Sequence, residues 1–275
     1  MIIKTIIENT SVSDEFQNEH GLSLYIETKK HKILFDLGKT DLFIENAQKL
    51  NINIEDIDLV VISHGHYDHG GGLKKFLEVN SRANIYINKH GFEEHYSKRP
   101  TGIIEEIGLD KGLKNNCRII FVDKYLKIDE ELEIFSGIKK NNFLSKSNDV
   151  LLMKEEGEFI KDNFNHEQSL IIKDNDKLVL IAGCAHRGIS NIIDEFIDIK
   201  GEEPRYVLGG FHLSSPSYKK SEDPSLINEI GRYLKSKDTF YYTCHCTGLA
   251  PYNQLKDILE ERLQYLSTGT CIEIE

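Results

Sequence analysis

The sequence predicts an α/β (α+β) protein in which two sheets pack together and helices cover them on the outside. Three observations predict it. Short β-rich runs are interleaved with amphipathic helical stretches, and this theme occurs once in each half of the chain. Runs such as Asp58-Leu-Val-Val-Ile-Ser63 are almost continuously apolar, the mark of a strand buried on both faces. No Pro/Gly/Ser-rich linker separates the halves, so one domain spanning 1–275 is expected.

In the first half, Leu22–Glu27 alternates as a strand and Lys32–Asp36 follows after a polar turn, until Leu37-Gly38 breaks it. Thr40-Asp41 can cap a helix carrying Leu42, Phe43, Ala47 and Leu50 on one side. The apolar strand ending at Ser63 comes next, then a short helix over Leu73–Leu77 and a strand over Asn84–Asn88. From His90 to about Lys114, Pro100, Gly102, Gly108 and Gly112 interrupt any period, and the segment reads as an irregular excursion over the site. Strands at Arg118–Val122 and Leu132–Phe135 close this half.

In the second half, Gln168–Lys173 and Lys177–Ala182 resemble a hairpin around Asp174-Asn175-Asp176. Gly188–Ile199 is helical, with Ile189, Ile192, Ile193 and Phe196 on one face. After a strand at Arg205–Gly209, Pro224 opens a helix capped by Asp223 and carrying Leu226, Ile227, Ile230 and Leu234. A strand at Thr239–Thr243, a helix at Leu249–Leu263 and a strand at Thr270–Glu275 complete the chain.

Hydrophobic residues make up 39% and charged residues 29%, an ordinary globular balance. No apolar run approaches the ~20 residues a bilayer span requires. The opening Met1–Glu8 is too short and too soon charged for a signal peptide, so a cytoplasmic protein without a membrane partner is expected. A net charge of −11 repels phosphate backbones, and Lys29-Lys30-His31-Lys32 and Lys139-Lys140 read as solvated loops. No nucleic-acid partner is expected. Five cysteines form no secreted framework and point to reduced thiols. Cys117 and Cys271 read as small buried hydrophobes, whereas Cys184, Cys244 and Cys246 lie near histidines.

The chemistry lies in where the histidines fall. Of the chain's 11, His64, His66, His69, His186, His212 and His245 all lie within or just past loops that follow apolar strands. Strand ends are where a rigid scaffold holds side chains over a common point. In His64-x-His66-x-Asp68-His69, alternate residues of an extended loop can bind one ion through His64 and His66. Asp68 and His69, past a bend, can bind a second. Two ions about 3.5–4 Å apart can share a hydroxide and brace both the attacked centre and the leaving oxygen. His20, His31, His90 and His95 lie in polar stretches and read as surface residues. Cys244 and Cys246 would point away from His245 in an extended stretch, so they read as packing residues.

From about Ile2 to the C-terminus the sequence resembles the metallo-β-lactamase superfamily. Phe35-Asp36-Leu37-Gly38 matches its first motif, and His64, His66, Asp68 and His69 match the second. The resemblance implies a four-layer αββα sandwich in which Asp36 buttresses the metal loop without binding metal. Three later segments are similar to the narrower dihydropterin-ribofuranosylaminobenzene-phosphate synthase-like group. They are Gly183-Cys184-Ala185-His186-Arg187-Gly188-Ile189, Gly209-Gly210-Phe211-His212-Leu213 and Cys244-His245-Cys246-Thr247-Gly248. Glu167-Gln168-Ser169-Leu170 resembles that group's motif before the hairpin.

The resemblance implies that His186 completes the first metal's shell and His245 the second's. Cys184 stands where many superfamily members have a bridging aspartate, and it is either a thiolate ligand or a small buried residue beside the site. His166 occupies a place where many members carry a ligand histidine and is the alternative to His186. His212 is a proton donor to the leaving group, a substrate contact, or a packing residue.

The function expected is a metal-dependent, phosphodiesterase-like hydrolase using two divalent ions, zinc first and iron or manganese otherwise. A metal-bound hydroxide would attack a small anionic phosphoester, or the pterin-type or phosphoribosyl substrate that the narrower resemblance implies, with Asp68 orienting the nucleophile. Acyl hydrolysis of a lactone, thioester or β-lactam is the alternative at the same site. Diiron redox chemistry or non-catalytic metal binding comes from another class. A homo-oligomer is compatible with the sequence.

Overall fold

The computed structural model describes residues 1–274, and the described residues form two compact units. The first comprises Met1–Phe92, Gly108–Asp123 and 266–274; the second comprises Glu93–Ile107 and Lys124–Tyr265.

The first unit is built on a seven-stranded sheet. Its order is Cys271–Glu273, Ile2–Ile7, Ser23–Glu27, Lys32–Phe35, Leu59–Ile62, Asn84–Asn88 and Ile119–Val122. From Lys32–Phe35 onward the neighbours run parallel. The helices Leu42–Lys49 and Leu73–Val79 place Phe43, Ala47, Leu73 and Phe76 against Leu34, Val60, Ile62 and Ile85. Leu59 and Val61, which alternate with Val60 and Ile62, are buried as well, so this strand is covered on both faces as its composition predicts. The Asp41 side chain does not cap the first helix; the Thr40 hydroxyl accepts from Leu42 N at 3.1 Å instead.

The second unit carries another seven-stranded sheet, ordered Leu263–Tyr265, Phe240–Thr243, Tyr206–Gly209, Lys177–Ile181, Gln168–Asp174, Leu132–Ser136 and Tyr125–Lys127. Its first four strands are mutually parallel. Three helices, Ile189–Lys200, Pro224–Lys235 and Leu249–Leu259, bury Ile192, Ile193, Phe196, Ile230, Leu234 and Leu255 on it. Asp223 caps the second of these by accepting from Ser225 N at 2.8 Å. The Gln168–Asp174/Lys177–Ile181 hairpin forms around the expected turn. Phe196 is fully buried between helix and sheet. A Phe196→Ala protein is expected to lose about 3–5 kcal/mol, read as a lower urea midpoint at unchanged slope.

Four expectations need correction. The stretch at 90–114 is not irregular throughout. His95–Lys98 and Ile104–Glu106 are strands of a four-stranded sheet completed by Leu151–Glu155 and Glu158–Lys161. The last helix stops at Leu259, because Glu260 adopts a positive φ of 53° and the chain turns into Leu263–Tyr265. The final strand covers only Cys271–Glu273, and Glu275 lies outside the described residues. Cys117 and Cys271 are exposed: one sits in a turn and the other on an edge strand.

Candidate functional site

In the first unit two neighbouring parallel strands, Lys32–Phe35 and Leu59–Ile62, end side by side and deliver Asp36 and Ser63-His64 to one edge. The chain reverses at Asp36 with φ 62°, a conformation that aspartate tolerates better than most side chains. The fully buried Asp36 carboxylate accepts from Ser63 N at 2.7 Å, Ser63 Oγ at 2.7 Å and His69 Nδ1 at 2.6 Å. Ser63 Oγ also lies 2.8 Å from His64 Nδ1. One carboxylate thereby orients two imidazoles, and each ring is left with Nε2 as its outward donor atom.

The other loop residues gather on these rings. His64 Nε2 lies 3.0 Å from His66 Nδ1, and His69 Nε2 lies 3.8 Å from Asp68 Oδ2. Three histidines and a carboxylate thus converge within one short loop, with the His64 and His69 rings fixed from behind by a buried acid. Metal-bound histidines show the same arrangement, because a carboxylate on the far nitrogen fixes the tautomer and raises ligand basicity. His20 is 41% exposed and its Nε2 lies 3.2 Å from Asp68 Oδ2, a contact the sequence did not suggest.

In the second unit three adjacent parallel strands end together: Lys177–Ile181, Tyr206–Gly209 and Phe240–Thr243. Their loops carry Cys184 and His186, then His212, then His245. Ala185, His212 and His245 have φ of 57°, 51° and 52°, so each loop turns sharply where the candidate side chains stand. Donor atoms of Cys184, His186 and His212 lie within 4.8 Å of one another, as do those of Cys184, His245 and Cys246. Close packing of the loops requires Gly209-Gly210. A Cβ on Gly209 would meet Ala182 O at 2.1 Å, and one on Gly210 would meet Cys246 Sγ at 2.4 Å. Thr247 ties the loops together, its Oγ1 accepting from Phe211 N at 2.8 Å and lying 2.5 Å from Thr243 Oγ1.

His186 is held from several sides. Glu167 accepts from His186 N at 2.6 Å and Arg187 N at 2.9 Å, while Asn148 Oδ1 lies 3.1 Å from His186 Nδ1. Burial pushes the Glu167 carboxyl up to about 7 despite these two backbone donors. Neither ring nitrogen of the buried His212 has a hydrogen-bond partner among the described residues. A buried imidazole with neither nitrogen satisfied is a candidate to meet a ligand. Burial pushes the Cys246 thiol up, but the Cys184 side chain and the His212 and His245 imidazoles outweigh it and hold Cys246 well below the usual thiol range. Buried thiols and imidazoles of this kind fit a divalent transition metal.

Cys246, His95 and Asp162 are site-like residues that sequence reasoning missed. His245–Thr247 is a 3-10 turn, not an extended stretch, so Cys246 shares a cluster with His245. His95 is fully buried and not a surface residue. Its Nδ1 lies 3.0 Å from Asp162 Oδ2, and His166 Nε2 lies 3.3 Å from the same oxygen. Burial pushes Asp162 up, yet the two imidazoles hold it far below the carboxylate range; burial together with His95 pushes His166 down. His166 and His186 thus both sit among clustered donors, His166 with His95 and Asp162 and His186 with Cys184 and His212.

A profile of the metallo-beta-lactamase superfamily matches residues 18–232. The chain is 32% identical over 264 residues to the uncharacterized protein MJ0448 of Methanocaldococcus jannaschii, covering 94% of each. From the same organism, a 7,8-dihydropterin-6-methyl-4-(beta-D-ribofuranosyl)-aminobenzene-5'-phosphate synthase is 28% identical, covering 98% of this chain and 96% of the relative. The crystal structure of Tm1679, a metal-dependent hydrolase of the beta-lactamase superfamily, superposes with a TM-score of 0.84 at 28% identity over 100% of this chain and 99% of that one. With its two seven-stranded sheets, its His-x-His-x-Asp-His loop and a profile match over most of its length, the chain belongs to the metallo-β-lactamase superfamily and has its fold.

Proposed function

We propose that this chain is a metal-dependent hydrolase of small anionic phosphoesters. The proposed metal ligands are His64, His66, Asp68, His69, Cys184, His186 and His245. Zinc is the metal expected first from this nitrogen, oxygen and sulfur donor set, with iron or manganese as alternatives. The observation that carries the reading is Asp36, whose buried carboxylate orients His69 directly and His64 through Ser63. The synthase relative, similar over nearly its whole length, supports a pterin-type or phosphoribosyl substrate. Five free cysteines fit a reducing, cytoplasmic setting, and the charge of −11 favours a small-molecule partner over nucleic acid. Among the described residues no helix is long and apolar enough to cross a membrane.

Two divalent cations, held by these residues, would supply Lewis acidity and would lower the pKa of water. The chain's own residues do the rest. Asn148 accepts from His186 Nδ1 and so aims Nε2 outward, while Glu167 pins the backbone on which that ring stands. Asp68 orients the attacking water. His212, whose nitrogens have no hydrogen-bond partner among the described residues, holds the proton that passes to the departing oxygen.

A panel of bis-aryl phosphodiester, aryl phosphomonoester, lactone and cephalosporin substrates tests the reading. Turnover of the phosphoesters is expected, and turnover of carbonyl substrates alone overturns it. His212→Ala is expected to lower kcat/KM by about 10²–10⁴-fold with metal content unchanged. An unaltered rate returns His212 to packing.

A further inference from the structure

Cys184 and Cys246 are carried by strands that do not touch. Cys184 follows Lys177–Ile181 and Cys246 follows Phe240–Thr243, with Tyr206–Gly209 paired between them. Neighbouring strands lie about 4.8 Å apart, so the outer two are separated by about 9–10 Å. The two sulfurs nevertheless come within 4.8 Å of each other and of the donor nitrogen of His245.

Two local devices close the gap. The first is the glycine past the middle strand. A Cβ on Gly210 would meet Cys246 Sγ at 2.4 Å and Gly183 O at 3.1 Å, and Gly210 N donates to Gly183 O at 2.8 Å. The Cys246 thiol therefore stands where any other residue at 210 would put its side chain, and it reaches across to Cys184 O at 3.4 Å. The second device is the 3-10 turn His245–Thr247. In an extended stretch His245 and Cys246 would point to opposite faces. With His245 at φ 52°, both bring a donor atom to Cys184.

All three residues are buried. Two thiols and one imidazole converging in the interior form a Cys₂His donor set, which holds zinc and leaves a further position open. Sulfur donors also suit zinc better than manganese, which prefers carboxylate, carbonyl and water oxygens.

We propose that Cys246 is itself a metal ligand, so that Cys184, Cys246 and His245 together hold a zinc ion through two sulfurs and one nitrogen. This adds a ligand to the proposed function and rests on its metal assignment, not on its substrate class. It also favours zinc over manganese at this site.

Cobalt(II) substitution of the full chain tests the assignment, because each bound thiolate adds charge-transfer absorption in the near ultraviolet. At saturating cobalt, Cys246→Ser is expected to lose about half of the wild-type band per chain, and Cys184→Ser/Cys246→Ser all of it. Gly210→Ala keeps both cysteines but sets a methyl group against the Cys246 thiol, and it should lose a similar share. Cys117→Ser removes an exposed thiol and should leave the band unchanged. Circular dichroism should be the same across the set. Zinc-edge X-ray absorption on the unaltered chain should count about two sulfur donors per chain. A wild-type band in Cys246→Ser protein with cobalt bound, or a single sulfur per chain at the zinc edge, overturns the inference and leaves the proposed function standing. A halved band, in a chain that turns over carbonyl substrates alone, keeps Cys246 as a ligand and refutes the phosphoester reading.

Discussion

Asp36→Ala is expected to weaken metal binding about 10–100-fold and to destabilise the protein at the same time. The carboxylate serves three donors; its removal strands Ser63 N in a fully buried place and leaves His69 Nδ1 with Ser63 Oγ at 3.4 Å. A stranded buried donor costs about 1–3 kcal/mol, so a loss of at least that size is expected. Alanine also suits the φ of 62° less well than aspartate does. Asp36→Asn keeps the backbone preference and one acceptor oxygen, but it turns an amide toward either Ser63 or His69, so it should fall between wild type and alanine. Urea unfolding and a competitive chelator titration on the three proteins read both effects. Wild-type stability and affinity in Asp36→Ala would show that the buried acid does not support the loop.

His66→Ala and Asp68→Asn are expected to lose turnover and bound metal while staying folded. His66 is outside the sheet, and the Asp68 side chain is 11% exposed beside the partly exposed His20, so neither supports the core. The loop itself is secured independently: Leu37 N bonds to His69 O at 2.7 Å and Gly71 N to Tyr67 O at 2.7 Å. Element analysis beside circular dichroism and a turnover assay separates the effects. Full activity in either variant removes that residue from the ligand set.

Much of this was legible because burial leaves a direct trace in composition. Leu59–Ile62 is apolar at every position since both of its faces are covered, and it leads straight into the ligand loop. The helix faces carrying Phe43 and Phe196 could be read from their spacing for the same reason. The four-stranded sheet was less visible. Glu158–Lys161 is exposed throughout, so it has no apolar face to show, and its hairpin partner ends in charged residues. Gly157, in the turn between them, and the apolar start of Leu151–Glu155 were the signals in the sequence. His95 was misread as a consequence, since a polar local sequence hides burial supplied by a distant strand pair, and its acidic partner Asp162 is 67 residues away. Cys246 was missed because a tight turn, which the Cys-His-Cys spacing does not reveal, brings it back beside His245.

Metal content of the purified chain, by inductively coupled plasma mass spectrometry with X-ray absorption to name the element and its donors, is the most direct test of the ligand assignments. About two divalent ions per chain are expected, with nitrogen, oxygen and sulfur scattering, falling in His66→Ala and Cys184→Ala proteins. A chain that holds no stoichiometric transition metal and takes none up on reconstitution contradicts the account.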